Sequence, residues 1–132
     1  RPLSDPPLDA LGAEMARLGL GANSITVPGI AAAWGQASRR WGRLPLADAL
    51  RPAIRIAREG FPIYARLERG YGARREVMER YRGTRAVFLA DGTPPQVGEV
   101  LRQPDLARTL ELLGEKGFDG FYRGEVAKKL LA

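Results

Sequence analysis

A mainly α-helical fold is predicted for this chain of 132 residues. Three observations predict it: apolar residues recur at steps of three and four along most of the length, Gly and Pro stand where those patterns begin and stop, and only one short run reads as extended. A hydrophobic content of 45% is enough to enclose one modest core.

Leu8 to Leu18 reads as the first helix, ended by Gly19. Pro28 suits a first helical position, and Ile30, Trp34, Ala37 and Trp41 then step by four, three and four to give one apolar stripe, stopped by Gly42. That stripe is expected to be core, with Gln36, Arg39 and Arg40 pointing elsewhere. Leu46, Leu50, Ala53 and Ala57 repeat the stepping up to Gly60, while Pro52 inside the pattern removes a backbone donor and predicts either a kink or a join between two short helices. A stretch from Tyr64 to Tyr81, rich in Arg and Glu, predicts an exposed helix whose buried residues are Leu67, Tyr71, Val77, Met78 and Tyr81.

Arg85-Ala86-Val87-Phe88-Leu89 is a short apolar run closed by the turn-forming Asp91-Gly92-Thr93-Pro94-Pro95, and it is the one segment expected to be a strand. Gln103-Pro104-Asp105 opens a helix with Leu106, Leu110 and Leu113 on one side and Gly117 after its end. A last helix should follow Phe118 to Tyr122, with Phe121 or Tyr122, Val126 and Leu130 turned inward. No internal repeat or low-complexity tract interrupts this plan.

Residue types narrow the chemistry. Without cysteine the chain can form neither a disulfide framework nor a thiolate metal site, and without histidine it lacks the usual general base and the commonest zinc ligand, so neither metal nor cofactor is expected. The net charge of +6 comes mostly from scattered arginines. The densest stretch, Arg66 to Arg82, is interleaved with Glu68, Glu76 and Glu79, which describes a solvated helix face rather than a nucleic-acid stripe. No uninterrupted apolar run is long enough to span a bilayer, and no signal-peptide pattern is present. The opening Arg1-Pro2-Leu3-Ser4-Asp5-Pro6-Pro7 reads as the middle of a longer chain. Tyr64, Tyr71, Tyr81, Trp34 and Trp41 sit at helical spacing and are expected in the core rather than stacked on a ligand.

Five runs, in this order, resemble the middle of the large subunit of γ-glutamyltranspeptidases over Ser24 to Ala132. They are Ser24-Ile25-Thr26-Val27-Pro28-Gly29-Ile30-Ala31-Ala32-Ala33-Trp34, Trp41-Gly42-Arg43-Leu44-Pro45-Leu46, Pro52-Ala53-Ile54-Arg55-Ile56-Ala57-Arg58-Glu59-Gly60-Phe61-Pro62, the stretch Gly98 to Leu110 around Gln103-Pro104-Asp105-Leu106-Ala107, and Gly117 to Ala127 around Phe121-Tyr122-Arg123-Gly124. Each alone is a weak signal, and their shared order makes the resemblance specific. Gly29, Gly60, Pro104 and Gly124 are read as capping positions of a scaffold rather than ligand contacts.

The resemblance implies a helical lobe of about five or six helices and one short strand within an αββα N-terminal-nucleophile hydrolase, the parent enzyme extending beyond both ends of residues 1–132. It also implies autoproteolysis, a threonine nucleophile whose own α-amino group is the base, and transfer or hydrolysis of γ-glutamyl groups from glutathione-type substrates. None of Thr26, Thr84, Thr93 and Thr109 stands in the family's Thr-Thr-His setting, so no catalytic residue is expected in this chain and the fragment alone is expected to be inactive.

By the same resemblance an arginine ahead of the Val-Pro-Gly element grips the substrate α-carboxylate, and Arg1 is the candidate. Expected partners are the catalytic small chain, the γ-glutamyl substrate of the parent, and a second copy of the fragment itself, because a chain this short cannot turn every apolar stripe inward. A periplasmic or extracellular location accords with the family, although no signal segment stands in the sequence. Two other readings stay open: a cephalosporin- or glutaryl-type acylase of the same superfamily, and a non-catalytic helical interaction module.

Overall fold

The computed structural model describes Gly19, residues 25–89 and residues 92–131. The helix expected over Leu8–Leu18 falls outside them. The chain divides into two compact units, Arg1–Ile30 and Ala31–Ala132. In the described part of the first, Ile25 and Val27 lie outside regular secondary structure and are exposed. The second unit, with the helix that begins at its border, holds the packed elements.

The architecture is mainly helical, as the periodicity predicts. Its elements are α1 (Ile30–Trp41), α2 (Leu46–Glu59), β1 (Phe61–Pro62), α3 (Ala65–Ala73), α4 (Arg75–Arg80), α5 (Arg82–Phe88), β2 (Val100–Leu101), α6 (Pro104–Lys116), α7 (Phe118–Tyr122) and α8 (Glu125–Leu131). The main packing is α2 on α6, with α7 folded back on the end of α6. β1 and β2, which follow α2 and precede α6, form an antiparallel pair with Phe61 opposite Leu101 and Pro62 opposite Val100.

Helix boundaries follow local chemistry. Gly42 ends α1 because its N–H donates to the Ser38 carbonyl and a Cβ there would run into that same carbonyl. Pro104 opens α6 at a position where its missing N–H costs nothing. Gly60, at φ +89°, turns the chain from α2 into β1, and a Cβ at this point would lie 2.5 Å from Val100 Cγ1 and 2.8 Å from the Leu101 carbonyl oxygen. Only glycine meets both demands. Pro52 lies inside α2, which runs unbroken from Leu46 to Glu59, so neither a break nor a join occurs at the proline.

Several expectations are corrected. The stripe Ile30, Trp34, Ala37 and Trp41 is not core: Trp34 is 42% and Trp41 74% exposed, and the buried face of α1 is the small-residue one, Ala31 and Gly35. The bulky stripe is left facing outward. Arg85–Leu89 is not a strand but the end of α5 and its cap. An apolar run of this length has no period to separate strand from helix, and here the i→i−4 bond from the Leu89 N–H to the Arg85 carbonyl continues the helical pattern. The extended pairing falls instead on Phe61–Pro62 and Val100–Leu101.

The expected single helix from Tyr64 to Tyr81 is split at Arg74, whose φ of −112° and ψ of 10° leave the helical region. On α6 the buried residues are Ala107, Leu110, Leu112 and Leu113, while Leu106 is exposed. Leu130 is exposed as well, and so is Tyr81. The most enclosed large side chains are Ile63 and Leu113. Each contributes about 1.5–3 kcal/mol by leaving water.

Candidate functional site

Among the described residues no buried side chain is polar or charged, and no cluster of acidic groups could hold a metal ion. Thr109 Oγ1 donates to the Asp105 carbonyl 2.9 Å away, a back-bond within α6 that occupies the hydroxyl. Thr26 and Thr93 are exposed and Thr84 is half-buried on α5. Arg1, the candidate carboxylate ligand, lies outside the described residues.

Tyr64, expected in the core, is exposed, and the packed aromatic residues are Tyr71 and the group around Tyr122. Tyr71 stacks at a tilt on Phe88 with ring centroids 5.4 Å apart. Burial, with the neighbouring Tyr64 adding to it, pushes the Tyr71 phenol above its ordinary range and holds it protonated. Tyr122 contacts Phe118 and Phe121 at 4.5 Å and 5.0 Å, and its hydroxyl accepts a 3.1 Å hydrogen bond from the Ala32 N–H in the first turn of α1. That bond fastens α1 to α7 across 90 residues of sequence.

Charge serves the same purpose on the surface. The Arg58 guanidinium on α2 pairs with Glu111 on α6, and Arg108 approaches the same carboxylate at 3.8 Å. Arg75 bridges Glu79 at 2.7 Å and donates to the Gly92 carbonyl at 3.1 Å, tying α4 to the loop that precedes β2. Glu68 accepts from the Val97 N–H in that loop at 3.2 Å. These exposed pairs contribute little individually and chiefly fix loop geometry.

Of the positions read as caps, Gly60 and Gly124 have positive φ, at +89° and +83°, and Pro104 heads α6. Gly29 does not need a positive φ, and a Cβ there would meet nothing within 4 Å. Two contacts had no signal in the periodicity. At Gly114 a Cβ would lie 3.0 Å from Ala47 Cα, and at Gly120 it would run into the Leu112 carbonyl. Both are places where backbone meets backbone, and a glycine within a helical pattern is the trace that could have revealed them.

The described residues form a helical scaffold whose turns and close approaches are pinned at glycines. The chain belongs to the γ-glutamyltranspeptidase family, whose sequence model, "Gamma-glutamyltranspeptidase", matches residues 8–132.

It is 38% identical over 112 residues to "Glutathione hydrolase 3" of Arabidopsis thaliana, covering 85% of this chain and 18% of that protein. It is 36% identical over 111 residues to "Acylase ACY 1 proenzyme" of Pseudomonas sp. (strain SE83), covering 84% of this chain and 20% of that protein. Among solved structures it is similar to the γ-glutamyltranspeptidase of Helicobacter pylori, with a TM-score of 0.87 and 28% identity, over 98% of this chain and 38% of that one. The chain thus spans about a fifth of the length of the curated relatives it matches.

Proposed function

We propose that this chain is a structural segment of the large chain of a γ-glutamyl-transferring or γ-glutamyl-hydrolysing enzyme of the N-terminal-nucleophile type. The observation that carries this reading is the family match over residues 8–132, combined with helix ends that fall on the motif residues Gly42, Gly60 and Pro104. The α2–α6 layer, held at close range where Gly114 meets Ala47, acts as a rigid support for substrate-facing parts of the parent enzyme.

The reaction belongs to those parts. A threonine freed by self-cleavage attacks the γ-glutamyl amide with its α-amino group as base, and the acyl-enzyme passes to water or to an amine. Arg1 serves there as the ligand of the substrate α-carboxylate, for which a guanidinium fork is suited. The same parent supplies the small catalytic chain as this segment's partner.

The test is an assay of the complete protein with two anilides, one γ-glutamyl and one glutaryl, which differ by the α-amino group. Preferential release of the amine from the γ-glutamyl anilide supports the reading, together with a raised KM in Arg1→Gln. The similarity to an acylase proenzyme gives a second reading, in which the glutaryl anilide is the better substrate. Activity on neither would leave the helical interaction module.

A further inference from the structure

We propose that α1 is a flap that opens from the α2–α6 layer as one unit, hinged at the connector 42–45 and latched at its first turn by the Tyr122 hydroxyl. The flap is a device of the fold, independent of the proposed activity.

Capping supplies the latch. The first N–H groups of a helix have no partner within it and need acceptors from elsewhere. The residue before α1 is Gly29, which has no side chain to accept them, and no acidic residue stands in the first turn. The Ala32 N–H is satisfied instead by the Tyr122 hydroxyl, 3.1 Å away and 90 residues on in sequence. Tyr122 thus does from α7 what an N-cap side chain does locally. Because the acceptor belongs to another helix, the bond exists only while α1 is docked.

The remaining contacts of α1 are slight. Its buried residues are Ala31 and Gly35, which take far less apolar surface out of water than the buried leucines of α6. An open cavity of 460 Å³ is bordered by Gly35 and Ser38 of α1 and by Gly114 and Gly117 at the end of α6, so facing atoms there forgo dispersion contacts. The extensive packing is α2 on α6 and α6 with α7, and α1 takes no part in it. Few buried apolar contacts mark a unit that opens ahead of the global fold.

The other end of α1 provides the hinge. Residues 42–45 are exposed. On one side of them the Gly42 N–H closes α1 on the Ser38 carbonyl, and on the other the Pro45 carbonyl starts α2 by accepting from the Asp48 and Ala49 N–H groups at 3.0 and 3.1 Å. Each helix is therefore terminated by its own bonds, and the connector can turn without unwinding α2. The Ser38 hydroxyl reaches the Leu44 carbonyl across it only at 3.5 Å, beyond the ordinary range. A helix of 12 residues is marginal alone in water, so an opened α1 loses its internal bonds and exchanges its amide protons.

The experiment is hydrogen exchange of the complete protein, read by mass spectrometry on peptides covering Ile30–Trp41 and Pro104–Lys116. In the unsubstituted protein the α1 amides should exchange faster than those of α6, and together as one set. Tyr122→Phe keeps the ring contacts with Phe118 and Phe121 and removes the hydroxyl. It should speed exchange in α1 about tenfold and leave α6 within about twofold. Gly29→Asp places a carboxylate beside the orphan N–H groups, at a position where a Cβ meets nothing within 4 Å. Alone it should slow exchange in α1, and with Tyr122→Phe it should return most of the lost protection. An α1 as strongly protected as α6 in the unsubstituted protein overturns the flap. Tyr122→Phe that leaves α1 unchanged, or speeds α1 and α6 equally, overturns the latch, and so does a Gly29→Asp that fails to slow α1.

Discussion

Gly114 on α6 and Ala47 on α2 touch without side chains between them: a Cβ on Gly114 would stand 3.0 Å from Ala47 Cα and 3.4 Å from Ala47 Cβ. This close approach sets the spacing of the two helices that pack most extensively on each other, and it places Leu110 and Leu113 of α6 in the buried layer. Gly114→Val should therefore destabilise the fold by about 1–3 kcal/mol through overpacking. The denaturant midpoint measures it, and a midpoint within error of the parent chain would show that the helices can separate freely.

At Gly60 two penalties coincide, the positive φ of +89° and the contact that a Cβ would make with Val100 Cγ1 and the Leu101 carbonyl. Gly60→Ala should cost about 1–3 kcal/mol from the backbone conformation alone, with the steric conflict added to it. Gly29→Ala is the matched control, since neither condition holds there, and it should change the midpoint little.

Exposure reverses the ranking that the apolar stripe of α1 suggests. Leu113→Ala should cost about 2–5 kcal/mol, because Leu113 is 2% exposed and its loss leaves a cavity. Trp34→Ala, at 42% exposure, should cost clearly less in this chain. Equal losses in thermal unfolding of the two variants would restore Trp34 to the core.

Alkaline pH should weaken the fold through Tyr71. Its phenol is held above the ordinary value by burial first and by Tyr64 second, so the folded chain keeps a proton that the unfolded chain gives up. The contribution is fully present below the ordinary tyrosine range near about 10 and is lost as pH rises through the folded value. Stability measured upward from neutral pH should fall in that window, and Tyr71→Phe should flatten the fall. An unchanged slope in the variant would mean that other groups cause it.

Much of the helix plan was legible because turn residues state their reasons locally. Gly42, Gly60, Pro104 and Gly117 mark boundaries that the structure places within a residue or so of expectation. The faces were less legible. Periodicity identifies an apolar stripe on α1 but cannot say that Ala31 and Gly35 are the residues buried there, with Trp34 and Trp41 left outside.

The break at Arg74 and the helical state of Arg82–Phe88 depend on tertiary surroundings, which short segments obey more than their own pattern. The two-residue strands are too short to leave an alternation at all. Residue types narrow the site chemistry only by elimination, and Arg1 rests on resemblance alone.

Whether these residues belong to the large chain of a self-cleaving enzyme is read from intact-mass and peptide mapping of the purified complete protein. Two chains are expected after maturation: one containing the whole of residues 25–131, the other beginning with a threonine. A single uncleaved chain, or a cut that falls inside this segment, would contradict it.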